Sequence, residues 1–263
     1  MRLEFYKYQG TGNDFILIDN RKRNLSLSTE QIAFLCHRRF GVGADGLMLL
    51  EAEPGIDFKM VYFNSDGHES SMCGNGGRCI TAFARLLGVI GNKACFLAID
   101  GIHDAVINED ESVSLKMQDV KHVELGEGFY FLNTGSPHYV AKVENVMAYD
   151  VVGHGRRIRN SEAYAADGTN VNFIEKTDEA LLVRTYERGV EDETLSCGTG
   201  VTASALVAAL QGISTEKNKC LVKTPGGTLE VSFDKVLEHN FYNIWLKGPA
   251  QFVYKGEISL KED

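Results

Sequence analysis

The apolar and polar positions of this chain fall into two series that resemble each other. Phe58, Met60 and Tyr62 alternate with polar or smaller neighbours, as do Leu182, Arg184 and Tyr186, and both runs predict strands. Leu47–Leu50 and Val171–Ile174 are short apolar runs, again strands. Ser28-Thr29-Glu30-Gln31 is a capping-box start, and Ile32, Leu35 and Cys36 carry helical spacing as far as Arg39. A weaker counterpart is expected near Ser161 to Ala166. Two further helices have an apolar face, one made by Ile80, Phe83, Ala84 and Leu87, the other by Ala205, Leu206, Ala209 and Leu210. Both are Ala-rich with few charges, the pattern of a buried helix. Three strands follow each of them: Ala94–Ile99, His103–Asn108 and Val113–Met117, then Lys219–Lys223, Thr228–Phe233 and Phe241–Leu246.

The two series are copies. Cys73-Gly74-Asn75-Gly76 opens an apolar stretch ending at Gly88, and Cys197-Gly198-Thr199-Gly200 opens one ending at Gly212. The cysteines are 124 positions apart. Thr11-Gly12 matches Thr134-Gly135, Leu47–Glu51 matches Val171–Glu175, and Asp100-Gly101 matches Pro225-Gly226, all at offsets of 123 to 125. Matches in one order at one spacing indicate a duplicated domain. The expected organisation is residues 1–118 for the first domain and 119–248 for the second. The tail, 249–263, lies outside the repeat. The fold class expected is α/β (α+β), with each domain wrapping strands around a buried helix.

Composition narrows the function. Lys plus Arg is 27 and Asp plus Glu is 36, a net charge of −9. That balance argues against nucleic acid and against an anionic membrane surface, both of which select clustered positive charge. No apolar run approaches the roughly 20 residues of a membrane span. The first residues lack the apolar stretch of a signal peptide. A reducing compartment, the cytoplasm, is therefore expected, and six cysteines outside CxxC pairs form neither a disulfide scaffold nor a structural zinc site.

The chemistry then rests on which thiols react. Cys73 and Cys197 each stand at a helix start. Exposed N–H groups and the helix dipole there favour a thiolate and also suit a carboxylate ligand. Two such domains facing one another would present two thiols across one cleft. One thiolate would remove a proton from carbon while the other thiol returned one from the opposite face, inverting the stereocentre. The plain alternative, that both are packed as small apolar groups, does not account for their duplication. It does suit Cys36, Cys79, Cys95 and Cys220, which sit in apolar helix or strand patterns.

Asn64 and Arg188 each lie nine residues before their cysteine, at strand ends entering loops. An Arg at such a place can fork onto a carboxylate, and the adjacent Glu187 can accept from an ammonium. Gly10-Thr11-Gly12 lacks the remainder of a dinucleotide fingerprint. His138 occupies the second-half position matching the segment after Gly12.

Taken together, Asn64-x-Asp66-Gly67, Met72-Cys73-Gly74-Asn75-Gly76-Gly77-Arg78-Cys79, Tyr186-Glu187-Arg188-Gly189 and Glu193-Thr194-Leu195-Ser196-Cys197-Gly198-Thr199-Gly200 resemble the diaminopimelate epimerase family over nearly the whole chain. The resemblance implies two pseudo-symmetric domains, each a β-barrel-like sheet around a central helix, with the tail returning to the first. It implies interconversion of LL- and meso-2,6-diaminopimelate, on the route to lysine and peptidoglycan, without pyridoxal phosphate, any other cofactor or a metal. Cys73 and Cys197 would be the acid/base pair. Gly74, Asn75, Gly198 and Thr199 would offer backbone donors to the substrate carboxylate. Asn13, Asn64, Asn172, Glu187 and Arg188 would bind substrate, the last two at its distal ammonium and carboxylate. His138 would assist a thiol. The chain departs from the family at Ser136, where an Asn is usual, at His68, where Ser is usual, and at Gly46, where some members carry Gln. The partner expected is this small molecule; a homodimer is compatible with the sequence, which does not give the oligomeric state. A proline or hydroxyproline racemase would have no use for Glu187-Arg188, and a thiol redox protein would instead use a reversible Cys73–Cys197 disulfide.

Overall fold

The computed structural model describes residues 1–70, 72–237 and 239–260. In chain order the elements are β1 (Arg2–Gly10), β2 (Asn13–Asp19), α1 (Thr29–Cys36), β3 (Gly46–Glu51), β4 (Phe58–Asn64), α2 (Gly74–Leu86), β5 (Lys93–Ala98), β6 (Gly101–Ile107) and β7 (Val113–Lys116). There follow β8 (Val123–Leu125), β9 (Tyr130–Asn133), β10 (Pro137–Lys142), α3 (Val151–Arg159), β11 (Asn170–Lys176), β12 (Leu181–Glu187) and β13 (Asp192–Thr194). The chain ends with α4 (Gly198–Leu210), β14 (Lys219–Thr224), β15 (Gly227–Leu237), β16 (Asn240–Gly248) and β17 (Gln251–Ser259). It divides into two compact units: Met1–Leu115 with the chain from Gly248 onward, and Lys116–Lys247.

The first unit is one mixed sheet. β17 pairs antiparallel with β1, β1 with β2, β2 runs parallel to β3, and β3 is antiparallel to β4. β4 is parallel to β5, and β5 and β6 continue antiparallel into β7. Thr11 and Gly12 close the β1–β2 hairpin with φ of 52° and 84°. Both central residues at positive φ define the two-residue turn whose twist matches the strands. Helix α2 packs on β1, β2, β3, β6 and β17. Its residues from Gly74 to Thr81, with Phe83 and Ala84, are buried, the polar Asn75 and Arg78 among them. Leu87, expected on the apolar face, falls at the C-cap and is half-buried.

The second unit repeats this order of pairings. β8–β9 stands for β17–β1, β9–β10 for β1–β2, and parallel β10–β11 for β2–β3. β11–β12, parallel β12–β14, β14–β15 and β15–β16 complete the series. α4 packs on β9, β10, β11, β12, β14 and β15 and is apolar all round. In the first unit, then, the strand that flanks the opening hairpin comes from the C-terminal tail.

Two helix boundaries differ from the pattern. The capping box at Ser28 and Gln31 forms as expected, but α1 stops at Cys36, three residues before Arg39. The returning loop takes its last carbonyls: Val42 N and Gly43 N donate to Leu35 O, and Ala44 N donates to Cys36 O. The second-half counterpart is α3, whose last residue precedes the expected Ser161–Ala166. Asp150 caps it, accepting from Gly153 N at 2.9 Å, and Arg156, Arg157 and Arg159 suit its C-terminal dipole. The expected segment forms turns instead, with Ala165 N donating to Ser161 O and Gly168 N to Tyr164 O. Among the described residues no helix is long and apolar enough to cross a membrane.

Candidate active site

Cys73 and Cys197 occupy the same position in matched elements. Each is the N-cap of its unit's central helix, in extended backbone (φ −97° and −110°). Each carbonyl accepts the first bond of the helix ladder, Gly77 N to Cys73 O and Val201 N to Cys197 O, both 2.8 Å. The amides of Gly74, Asn75, Gly198 and Thr199 precede those bonds and point out of the helix end, where partial positive charge gathers. Cys73 is half-buried and Cys197 is 8% exposed.

Around Cys73, Asn13 Oδ1 lies 3.6 Å from Sγ. Asn13 opens β2, directly after the turn, so hairpin geometry fixes its place. Asn64 ends β4, exposed, at a turn in which Gly67 N donates to Asn64 O and Asn64 N to His68 O, both 3.0 Å. His68 N in turn donates to Asp66 Oδ1. The departure at Gly46 has a steric cause. A Cβ there would meet Tyr62 Cε2 at 2.5 Å and Phe63 O at 2.6 Å, on the strand paired with β3. No larger side chain fits without moving that strand.

Around Cys197, Thr199 Oγ1 is 3.4 Å from Sγ, and Thr199 O accepts from Thr134 Oγ1 at 2.9 Å. His138 is fully buried. Its Nδ1 is 3.1 Å from Asn172 Nδ2. Burial, and then the nearby Arg188 guanidinium, push its pKa down to about 3, so it is a neutral imidazole at neutral pH. The Asn172 amide donates to His138 and to Tyr139 O and accepts from Thr185 Oγ1 at 2.9 Å. That amide is committed within the protein, behind Gly200, whose Cβ would stand 2.4 Å from Asn172 Oδ1.

A second cluster forms at the end of β12. Arg188 donates to Asp167 O at 2.9 Å and to Ser136 Oγ at 3.5 Å. Glu187 accepts from Thr194 Oγ1 at 2.7 Å. The residue that binds this cluster together is Asn170, which the sequence reading does not single out. Its Nδ2 donates to Ser136 Oγ at 2.9 Å and to Pro137 O at 3.0 Å, while its Oδ1 accepts from Arg188 N at 2.9 Å. Asn170 and Asn172 are two apart on β11 and share a face, so the available signal was the repeated Asn at the strand's start.

The remaining cysteines are packed. Burial pushes the Cys36 and Cys79 thiols up to about 12 and also raises Cys220. Cys95, half-buried, is raised as well, by burial and then by Asp104. Among the described residues, no group of three or more His, Cys, Asp or Glu is placed to hold a metal ion.

This architecture is found in a class of solved structures. A PhzF-family phenazine biosynthesis protein from Bacillus anthracis is similar with a TM-score of 0.75 at 15% identity, covering 99% of this chain and all of that one. A probable proline racemase from Agrobacterium radiobacter is similar with a TM-score of 0.69 at 14% identity, covering 98% and 93%. At such identities the likeness defines a fold, one that this chain shares with a PhzF-family protein and a probable proline racemase. Sequence then places the chain within it. Residues 5–123 and 130–253 match the model of the diaminopimelate epimerase family, and the chain belongs to that family. It is 52% identical to the diaminopimelate epimerase of Flavobacterium psychrophilum, covering 97% of this chain and all of that one. It is 44% identical to that of Chlorobaculum tepidum, covering 95% and 99%.

Proposed function

We propose that this protein interconverts LL- and meso-2,6-diaminopimelate by a two-base mechanism, using Cys73 and Cys197. The observation that carries this is the repeated N-cap cysteine, each heading the central helix of one unit in a chain of this family. A thiolate at one position removes the α-proton, and the thiol at the other delivers a proton to the opposite face. The amides of Gly74, Asn75, Gly198 and Thr199 hold the adjacent carboxylate. They thereby stabilise the negative charge that develops on it as the carbanion forms.

Arg188 and Glu187 read the distal carboxylate and ammonium of the substrate. Asn170 joins Arg188 to Ser136 by holding the Arg188 backbone and the Ser136 hydroxyl, so Ser136 takes part through its hydroxyl where the family carries Asn. Asn13 and Asn64 serve the end of the substrate near Cys73. Asn172 acts through His138, as the group that fixes the imidazole. His138, buried and neutral, takes part as an uncharged hydrogen-bonding imidazole and not as a charged acid. The duplicated domains correspond to the two compact units, Met1–Leu115 with the tail and Lys116–Lys247, within three residues of the 1–118 and 119–248 expected from the repeat. The partner is a small zwitterion, not nucleic acid or membrane. The product serves lysine and peptidoglycan synthesis in the cytoplasm.

The test uses deuterated water. The proton returned comes from a thiol already exchanged with solvent, while the abstracted proton stays on the other sulfur. At early times, deuterium should appear at the inverted carbon of the product while recovered substrate stays protiated. Equal early deuterium in both would refute the two-base reading.

A further inference from the structure

One buried cation belongs to none of the roles above. Arg78, on α2, is fully buried. Its guanidinium donates to Gly74 O, Pro249 O, Thr11 Oγ1 and Asn75 Oδ1, at 3.2, 3.2, 3.1 and 2.9 Å. From Asn75 a chain of hydrogen bonds runs on. Asn75 Nδ2 donates to Asn13 Oδ1 at 3.4 Å, and Asn13 Nδ2 donates to Asp45 Oδ2 at 2.6 Å. Asp45 is held at its other oxygen by Arg38 Nη2, at 2.6 Å.

The two ends of this chain are chemically unlike. A guanidinium can only donate hydrogen bonds, and a carboxylate can only accept them. The two amides between them can each be turned either way. With a donor at one end and an acceptor at the other, only one orientation of both satisfies every link. That orientation directs the carbonyl oxygen of Asn13, and not its NH2, at Cys73 Sγ.

We infer that Arg78 and Asp45 are positioning residues that together set the direction of the Asn75–Asn13 amide pair, and through it present an acceptor to Cys73. This rests on the reading of Cys73 as an acid/base group. Its consequence is that Asn13 meets the protonated thiol as a partner and so biases Cys73 toward the thiol. A reversed amide would donate to the sulfur and favour the thiolate. Other charged and titratable groups surround the cluster. On the helix itself these are Cys79 and Arg78, whose positive charge acts on Cys73 in favour of the thiolate in every variant below; on the strand side they are Lys7, paired with Asp14, and Tyr8. On the side of Met72 they are Asp100, which accepts from the Met72 backbone, and its partner His103.

The experiment follows alkylation of Cys73 by iodoacetamide against pH, read on the Cys73 peptide by mass spectrometry with the Cys197 peptide as internal control. Asp45→Asn replaces the acceptor by an amide that can donate, freeing Asn13 to turn. The titration of Cys73 should then fall by about one pH unit, roughly tenfold in thiolate below the midpoint, with Cys197 unmoved. Asp14→Asn removes the carboxylate that shares Arg38 with Asp45 but keeps the Asp14 backbone N–H on Asp45 Oδ2 and the chain of amides in place, and should leave Cys73 within a few tenths of a unit. If Asp14→Asn does not fold, Asp45→Glu supplies the comparison, since it keeps both acceptor and charge and should titrate as the unaltered protein does. An unchanged titration in Asp45→Asn, or an equal shift in Asp14→Asn, overturns the inference. Full epimerase activity in Cys73→Ala would instead remove the catalytic reading and leave the alkylation result standing.

Discussion

Asn170 Nδ2 donates to Ser136 Oγ at 2.9 Å, while the Asn170 carbonyl holds the backbone N–H of Arg188. One buried amide thus ties Ser136 to Arg188, the residue assigned to the distal carboxylate of the substrate. On the proposed assignment, a hydroxyl suffices at residue 136 because the amide that organises the loop is supplied by residue 170. Ser136→Asn should accordingly keep diaminopimelate turnover, with KM changed by no more than a few-fold. A large loss of kcat would show that the hydroxyl itself is required.

Arg188→Ala should act on binding. Losing a charged hydrogen bond to a carboxylate costs about 2–5 kcal/mol, at least about thirtyfold in kcat/KM. Steady-state kinetics at subsaturating substrate measure this, and near-normal kcat/KM would remove Arg188 from the site.

Cys73→Ala and Cys197→Ala should each abolish epimerisation, and the double variant should be little worse than either single one, since the two sulfurs act as a unit. Activity should also fall at both low and high pH, because turnover needs one thiolate and one thiol together. Substantial activity in either single variant would contradict this.

His138 should make stability depend on pH. Its folded pKa lies near 3, below the roughly 6.5 of an unfolded His. The unfolded chain therefore binds the extra proton, and the stability from keeping His138 neutral is complete above about pH 6.5 and lost as pH falls. The slope approaches about 1.4 kcal/mol per pH unit between roughly pH 6 and pH 4. Denaturant midpoints measured from pH 7 to pH 4 should fall less steeply in His138→Gln than in the unaltered protein. Parallel curves would show that His138 is not the group responsible.

Gly46→Ala should destabilise the first unit. Its Cβ would press on Tyr62 and on the Phe63 carbonyl, an overpacking cost of about 1–3 kcal/mol. Thermal unfolding followed by calorimetry should shift down by roughly 2–4 °C per kcal/mol. An unchanged midpoint would mean that β4 yields easily, and that Gln at this position is sterically open to the chain.

What the sequence determined by itself was whatever is local or repeated. The capping box at Ser28 is written in four residues, and alternation in Phe58–Phe63 and Leu182–Glu187 needs only neighbours, so those elements form where expected. The two N-cap cysteines were legible because duplication marked them twice. Tertiary structure decided what depends on groups distant in the chain. The end of α1 is set by the loop that returns to take its carbonyls, and β17 is a strand because it finds the edge of β1, some 250 positions away. The choice between Asn170 and Asn172 follows the same rule. Both read alike on one face of β11, yet one amide meets Ser136 and Arg188 and the other meets His138. Arg78 is the extreme case: nothing in Gly-Gly-Arg-Cys says that a guanidinium is fully buried, because its acceptors come from Thr11, Asn75 and Pro249 and exist only once the sheet has closed over the helix.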